Sequence, residues 1–327
     1  MGKTLIVTDT HLSNPRQGYL DAQIDSLIKI YDEEKPHDLI IMGDVFMSRR
    51  PTPTVLLGLR RLLAAFQCRV WLLRGNHDSE TKADDGVTAL SLFASERVHV
   101  ITHTKTFGRW TFIPHYENAE TIKKALSKVP EGNTVFGHFG YNGCLNSTGD
   151  HDFNIDLSCF SNTTLLGHIH KFNKVGGVTI LGTPYSVNFG DALKECYYAV
   201  QVDGGEWEFK KVTHGIRHVV CGLEEVVDKL DVINDPNYFT HLRVFVNKLG
   251  EENTASLVDE ISELCSVNQL DIKFRPILSE KEAQSTFVPD RQLFSINEAI
   301  IDDYIESSDT QIDKADLLEG YRRLNED

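Results

Sequence analysis

Asp9, His11, Asp44, Asn76, His77, His138, His168 and His170 each stand at or just past the end of a short apolar run, and this arrangement restricts the fold more than any other feature of the chain. The runs are Leu5-Ile6-Val7, Leu39-Ile40-Ile41-Met42, Val70-Trp71-Leu72-Leu73, Val135-Phe136 and Leu165-Leu166. Short runs that are continuously apolar, rather than alternating, read as strands buried on both faces of a parallel sheet. In open α/β sheets polar groups collect just past the carboxyl ends of such strands. Side chains spread over about 160 positions can therefore meet at one sheet edge.

The segments between the runs support this layout. Leu20, Ile24, Leu27, Ile28 and Tyr31 form the stripe of an amphipathic helix between the first two strands, which makes a β-α-β unit. Val55, Leu56, Leu59, Leu62, Leu63 and Phe66 form a second stripe behind Pro51-Thr52-Pro53, which offers a capping Thr and a Pro near the first turn. Thr111 to Ile113, Thr134 to Phe136, Thr164 to Leu166 and Val178 to Leu181 read as short strands. Tyr197 to Val202 and Trp207 to Val212 read as a hairpin around Asp203-Gly204-Gly205. The expected fold class is α/β, with helices outside two mostly buried sheets over residues 1–222. Beyond Gly222 the style changes: His241 to Val246 and Leu270 to Phe274 alternate as strands around a helical stretch at Ala255 to Leu264, a small α+β domain at 223–276. Residues 277–327 are polar and acidic and carry two short helical stripes, Ile296, Ile300, Tyr304 and Ile305, then Ile312, Ala315, Leu318 and Tyr321. Helices this short form only by docking.

Charge and cysteine content exclude several classes. Beyond residue 250, Asp and Glu outnumber Lys and Arg 19 to 7, so −12 of the formal net charge of −15 lies there. Such a tail repels nucleic-acid phosphate, so any grip on DNA needs help from a partner. Cys68, Cys144, Cys159, Cys196, Cys221 and Cys265 contain no C-x-x-C pair, which argues against a disulfide framework or a zinc ribbon and leaves free thiols. No run of the length needed to span a membrane and no secretory leader is visible, so a cytoplasmic protein is expected.

The polar words are Asp9-Thr10-His11, Gly43-Asp44, Gly75-Asn76-His77-Asp78, Gly137-His138 and Gly167-His168-Ile169-His170. Taken singly, Asp-x-His and Gly-Asp carry little information. Two histidines two apart on a short apolar strand have few structural uses, and the set in this order reads as a two-metal phosphoesterase site. Hydrolysis of a phosphodiester needs an activated water and neutralisation of charge on phosphate oxygens, which two nearby divalent ions supply. A shared carboxylate must hold them, and Asp44 is the candidate bridge. One ion would take Asp9, His11, Asp44 and His170, the other Asp44, Asn76, His138 and His168. Alternation in His168-Ile169-His170 would aim both imidazoles to one side with Ile169 in the core. Mixed carboxylate, amide and imidazole ligands favour manganese, iron or zinc over calcium, with manganese or magnesium expected where phosphate oxygens complete the shell. His77 is left to meet the scissile phosphate or protonate the leaving oxygen, with Asp78 orienting it. His115, after Phe112-Ile113-Pro114, is a further histidine placed to approach the site.

On these words the chain resembles the calcineurin-like metallophosphoesterase superfamily. Gly43-Asp44-Val45-Phe46 with Ser48-Arg49-Arg50-Pro51-Thr52-Pro53, Leu166-Gly167-His168-Ile169-His170-Lys171, and Gly182-Thr183-Pro184-Tyr185-Ser186 with Phe189-Gly190-Asp191 look more specifically like SbcD-type DNA repair nucleases and their phage relatives. The likeness covers roughly residues 1–222, and the α+β domain is similar in kind to that family's capping domain. It implies a manganese-dependent exonuclease on duplex DNA with endonuclease action on single strands or hairpins. It also implies a homodimer bound to an SbcC-type SMC-like coiled-coil ABC ATPase, with the acidic tail docking on the base of that coiled coil, and a location in the host cytoplasm if phage-encoded. Arg49 and Arg50 are candidate DNA contacts. The family usually has Asp or His where this chain has Met47, which cannot transfer a proton, so the balance of exonuclease and endonuclease action is expected to differ. Competing readings are a stand-alone phosphatase or cyclic-nucleotide phosphodiesterase, and an idle subunit that only organises the ATPase.

Overall fold

The apolar runs pair side by side. β1 (Thr4–Val7), β2 (Asp38–Ile41), β3 (Arg69–Leu73) and β4 (Val98–Ile101) are parallel neighbours, with Leu5 opposite Leu39 and Leu39 opposite Val70. The computed structural model describes residues 2–146, 149–151, 153–192, 194–247 and 254–275; the acidic tail and both of its expected helical stripes lie outside the described residues. α1 (Tyr19–Glu34) and α2 (Pro53–Ala65) connect β1 to β2 and β2 to β3. Leu5 and Val7 pack with Ile24, Leu27, Leu59 and Leu62 of these helices, whereas Ile6, Ile40 and Trp71 face the second sheet. Both faces of each strand are thus covered, which is why the runs show no polar alternation. α1 buries Tyr19 and Ile30 with the expected stripe, while Ile28 and Tyr31 are only partly covered. Thr52 takes the N-cap position of α2 and Pro53 its first turn, although the Thr52 side chain makes no capping bond.

The second sheet repeats the plan. β5 (Lys105–Phe107), β6 (Trp110–Ile113) and β7 (Thr134–Gly137) are followed by a small ladder of β8 (Cys144–Asn146) and β9 (Gly149–His151), then by β10 (Thr164–Leu166), β11 (Asn173–Val175) and β12 (Val178–Ile180). β13 (Tyr197–Gln201) and β14 (Trp207–Lys211) form the expected hairpin and return to the first sheet beside β1. Among the described residues the two six-stranded sheets run β14-β13-β1-β2-β3-β4 and β11-β12-β10-β7-β6-β5. Phe112, Phe136 and Leu165 meet Ile6, Ile40 and Leu73 between the sheets, and Val135 and Leu166 face outward. There α3 (Ala119–Leu126), which no long apolar stripe announces, covers them with Ile122 and Leu126. The α/β two-sheet sandwich flanked by helices is the fold of this region.

A third sheet of parallel strands is formed by β15 (Gly215–Gly222), β16 (Tyr238–Asn247) and β17 (Gln269–Arg275), with the short α4 (Leu230–Ile233) between its first two strands and α5 (Thr254–Leu264) between the last two. β15 pairs along its whole length with β16, so the small sheet begins at Gly215, upstream of the boundary expected at 222. Ile261 of α5 shares a core with Val219, Leu242 and Val244. The module meets the sandwich at Phe189, whose ring lies 4.8 and 4.5 Å from those of His218 and His241 and under Arg243 at 3.7 Å. Cys68, Cys159, Cys196, Cys221 and Cys265 are free thiols, and among the described residues no helix is long and apolar enough to cross a membrane.

Candidate metal centre

The loops after β1 and β2 keep pairing beyond the sheet edge. Asp9 N donates to Gly43 O at 3.0 Å, His11 N to Asp44 O at 2.9 Å and Leu12 N to Val45 O at 2.8 Å. This fixes Asp9 and His11 beside Asp44. The second sheet joins them through His168, whose backbone N–H donates to both oxygens of Asp9 at 3.1 and 3.0 Å. Four of these residues adopt the left-handed backbone, with φ of 53° at Asp9, 43° at His11, 47° at Asp44 and 80° at His168. Each such conformation costs on the order of 1–3 kcal/mol in a non-glycine residue, and strain of this kind collects at functional sites. The glycines of the words are there for space. A Cβ on Gly75 would fall on the Asp44 carboxylate, and one on Gly43 would fall on the His138 ring.

Two clusters of ligand-type atoms result, Asp9 with His11 and His170, and Asp44 with His138 and His168, each with its atoms within 4.8 Å of one another. In the first, the Nε2 atoms of His11 and His170 are 3.1 Å apart. Two nitrogens about 2 Å from a common cation stand at about this separation. In the second, the Oδ1 of Asn76 lies 2.9 Å from His168 Nδ1 and 3.3 Å from His138 Nε2. Asp44 stands between the clusters, with Oδ1 3.3 Å from His138 Nε2 and Oδ2 3.8 Å from His11 Nε2. The seven expected ligand residues are thereby brought together in the expected partition. His168 and His170 both face the centre while Ile169 is buried, but the segment is a strained loop past β10 and not a strand.

The electrostatics fit cations. Asp9 and Asp44 are 0% and 2% exposed in a site where His138 approaches both. Burial holds Asp9 above the ordinary carboxylate range, only partly offset by His138 and His170. For Asp44 burial is outweighed by the attraction of His138, His11 and His77, and its carboxyl is held well below that range. Burial would lower His138, but Asp44 and Asp9 raise it instead. His11 and His168 are pushed down to about 3, mainly by burial. Two dry carboxylates, the neutral imidazoles of His11 and His168, and His138 and His170, whose protons are held by the neighbouring carboxylates, form a donor set in which divalent ions can take the place of those protons.

Around the clusters the expected roles divide. His77 N donates to Asp44 Oδ1 at 2.8 Å, and its ring stands 5.0 Å from that of His11. His77 Nδ1 donates to Met47 O at 2.7 Å, which leaves Nε2 as the nitrogen available to a substrate. Met47 therefore acts here through its carbonyl, with its side chain partly exposed. Asp78 does not orient His77. Its buried carboxylate accepts from Gly75 N, Phe46 N and Val45 N at 2.9, 3.0 and 3.2 Å, and so ties the β2 and β3 loops together. Arg49 is not free for DNA as expected, since its guanidinium holds the carbonyls of Ser79 and Thr81 and pairs with Glu117 at 3.5 Å. Arg50 is exposed and keeps its side chain available. His115 reaches the edge of the site, its ring 5.7 Å from that of His168.

Four supporting residues were given no role at the site by the sequence reading. Asp191 Oδ2 accepts from His170 Nδ1 at 3.0 Å and thereby fixes which nitrogen faces the site. Burial alone would raise Asp191, but the bonds from His170 and Lys194 hold it at about 2. Arg74 is 1% exposed and links Ser79 Oγ to the carbonyl of His115, each at 2.6 Å. Gln23 donates to the carbonyls of Thr10 and His11 at 3.2 and 3.0 Å, and the Tyr185 hydroxyl donates to the same Thr10 carbonyl. A lone arginine directly after the apolar run of β3 was a legible signal, and Tyr185 and Asp191 stood in stretches already singled out by resemblance; Gln23 had no signal in local pattern.

No curated protein matches the chain. Among solved structures it is similar to the nuclease MPE of Pseudomonas putida, at 17% identity over 65% of this chain and 78% of that one with a TM-score of 0.32. It is also similar to an archaeal phosphodiesterase, at 15% identity over 64% of this chain and 99% of that one with a TM-score of 0.35. The family model for the calcineurin-like phosphoesterases matches residues 2–222, which span both sheets of the sandwich and every candidate ligand, and the chain belongs to that family.

Proposed function

We propose that the chain is the nuclease subunit of an SbcD-type complex, hydrolysing DNA phosphodiester bonds as an exonuclease and endonuclease in repair, recombination or DNA degradation. Family membership makes it a metal-dependent phosphoesterase with a dinuclear site; DNA, manganese and the partner are the further step. The observation that carries the reading is Asp44, one oxygen turned to each cluster, with the His77 ring beside it. Manganese ions held by Asp9, His11, Asp44 and His170 and by Asp44, Asn76, His138 and His168 would supply Lewis-acid activation of water and neutralise charge on the phosphate. The protein's own part is to hold the scissile group and move a proton. His77, fixed by Met47 O and Asp44, presents Nε2 to a phosphate oxygen or to the leaving oxygen.

The choice of DNA rests on the stretches that resemble SbcD-type nucleases, and residues of the third have tasks around the site. Asp191 fixes His170, Tyr185 braces the β1 loop, and Phe189 is gripped by the small module. In this reading the small module is a capping domain that senses DNA. The acidic tail docks on the coiled-coil base of an SbcC-type ATPase, and two such subunits work as a homodimer. The test is manganese-dependent degradation of linear duplex DNA by the purified chain, with and without a coiled-coil ATPase, using Asp44→Asn as the blank. Degradation that the blank lacks supports the proposal. Hydrolysis confined to small cyclic diesters, with DNA untouched under both conditions, would reject it in favour of a stand-alone phosphodiesterase.

A further inference from the structure

Asp191, which fixes His170, is held by its own segment and not by the strands of the sandwich. Among the described residues its other hydrogen-bond partners all lie between Ser186 and Lys194. Its carboxylate accepts from Lys194 Nζ at 2.9 Å and Val187 N at 3.4 Å, its carbonyl from Lys194 N at 3.1 Å and Ser186 Oγ at 3.4 Å, and its amide donates to Asn188 O at 2.9 Å. That segment is fastened chiefly to the small module. Ser186 N donates to Ile216 O of β15 at 3.1 Å, and Ser186 Oγ stands 3.0 Å from His218 Nδ1 on the same strand. Apart from the His170 bond, the sandwich gives residues 186–191 one hydrogen bond among the described residues, from the Tyr19 hydroxyl to Val187 O at 3.2 Å.

Phe189 begins the single 3₁₀ turn that ends in Asp191, a turn closed by the Asn188 side chain on Gly190 N at 2.7 Å. It stands between the exposed Asn188 and Gly190 and belongs to neither core of the sandwich nor to that of the module. Its ring is instead clasped by His218 of β15 and by His241 and Arg243 of β16, and Arg243 is anchored in turn on Asp271 of β17 by charged bonds of 2.7 and 2.6 Å. Phe189 and Asp191 are thus the two ends of one turn, the first gripped by the module and the second bonded to a metal ligand. We propose that Phe189 is a positioning residue through which the small module sets the affinity of the Asp9, His11 and His170 metal site, so that a displacement of β15 and β16 changes how tightly that ion is held. Such coupling is reciprocal, and an ion at His170 must in return steady the module. The inference rests on the dinuclear centre and not on the choice of DNA as substrate.

The experiment titrates the chelator-stripped full chain with manganese by calorimetry and follows amide hydrogen exchange in β15 and β16 with and without the metal. The step that Asp191→Ala shifts marks the site of His170. Phe189→Ala weakens that site about tenfold and leaves the site of Asn76, His138 and His168 within about twofold of wild type, while Phe189→Tyr, which keeps the ring, retains both affinities. Manganese slows exchange in β15 and β16 several-fold in the wild type and not in Phe189→Ala. Should the alanine chain fail to fold, Phe189→Leu, which keeps apolar volume but offers no flat face to Arg243, weakens the same site selectively. Wild-type affinity at both sites in the folded variant, an equal loss at both, or exchange in the wild-type module that is indifferent to manganese overturns the proposal. Selective loss in a chain that degrades no DNA would keep the coupling and remove the nuclease reading; DNA degradation by a chain without the coupling would do the reverse.

Discussion

Replacing Asp191 tests whether the sandwich, and not the ligands alone, sets the metal affinity. Its carboxylate bonds His170 Nδ1 at 3.0 Å and Lys194 Nζ at 2.9 Å while 2% exposed. A hydrogen bond to a charged group contributes about 1.5–3 kcal/mol, and outer supports of metal histidines change affinity by about 10–100-fold. Asp191→Ala should therefore weaken one manganese site by about 100-fold, and Asp191→Asn, which still accepts a neutral bond, by about tenfold or less. The cluster of Asn76, His138 and His168 should be unaffected. Calorimetric titration of chelator-stripped protein resolves the two steps. The same carboxyl carries a stability signature. Its folded pKa of about 2 lies below the ordinary value of 3.8, so its contribution is fully present above about pH 4 and is lost as pH falls through 2. The shift corresponds to about 2 kcal/mol, so the melting difference between wild type and Asp191→Asn should shrink between pH 5 and pH 2. Wild-type affinity at both sites in Asp191→Ala would refute the view that Asp191 sets His170.

Three other substitutions or titrations probe the centre. Gly75→Ala drives a methyl into the Asp44 carboxylate and should lower bound metal at least tenfold, at a cost of about 1–3 kcal/mol in chemical denaturation; normal metal content by mass spectrometry would speak against the packing described. His77→Ala should keep full metal occupancy while the single-turnover rate falls about 10²–10⁴-fold, and an unchanged rate would remove His77 from the chemistry. Metal uptake should release about one to two protons near neutrality, because Asp44 and Asp9 raise His138, and Asp191 and Asp9 raise His170. Affinity must then fall as pH is lowered, and calorimetry in buffers of different ionisation enthalpy that showed no buffer dependence would contradict this.

Strands and ligands were legible because burial on both faces writes continuous apolar runs, and because Gly-His-x-His after such a run has few other uses. The assignment of Asp78 failed for a physical reason. It follows His77 in sequence, but the turn after β3 swings its carboxylate back onto three amides of the neighbouring loops. Arg49 and Arg50 are alike in sequence and differ in fate, since only Arg49 lies within reach of the Ser79 and Thr81 carbonyls. Asp191 bears no periodic relation to His170, and only the fold brings them together. The left-handed backbone at Asp9, His11, Asp44 and His168 is equally invisible in residue types, being imposed by loops that pair beyond the sheet.

Anomalous diffraction from manganese-soaked crystals addresses the shared carboxylate directly. Two peaks about 3.5–4 Å apart are expected, one among Asp9, His11 and His170 and the other among Asn76, His138 and His168, with one Asp44 oxygen on each. A single peak, or two peaks with Asp44 bound to neither or to only one, would contradict the dinuclear centre.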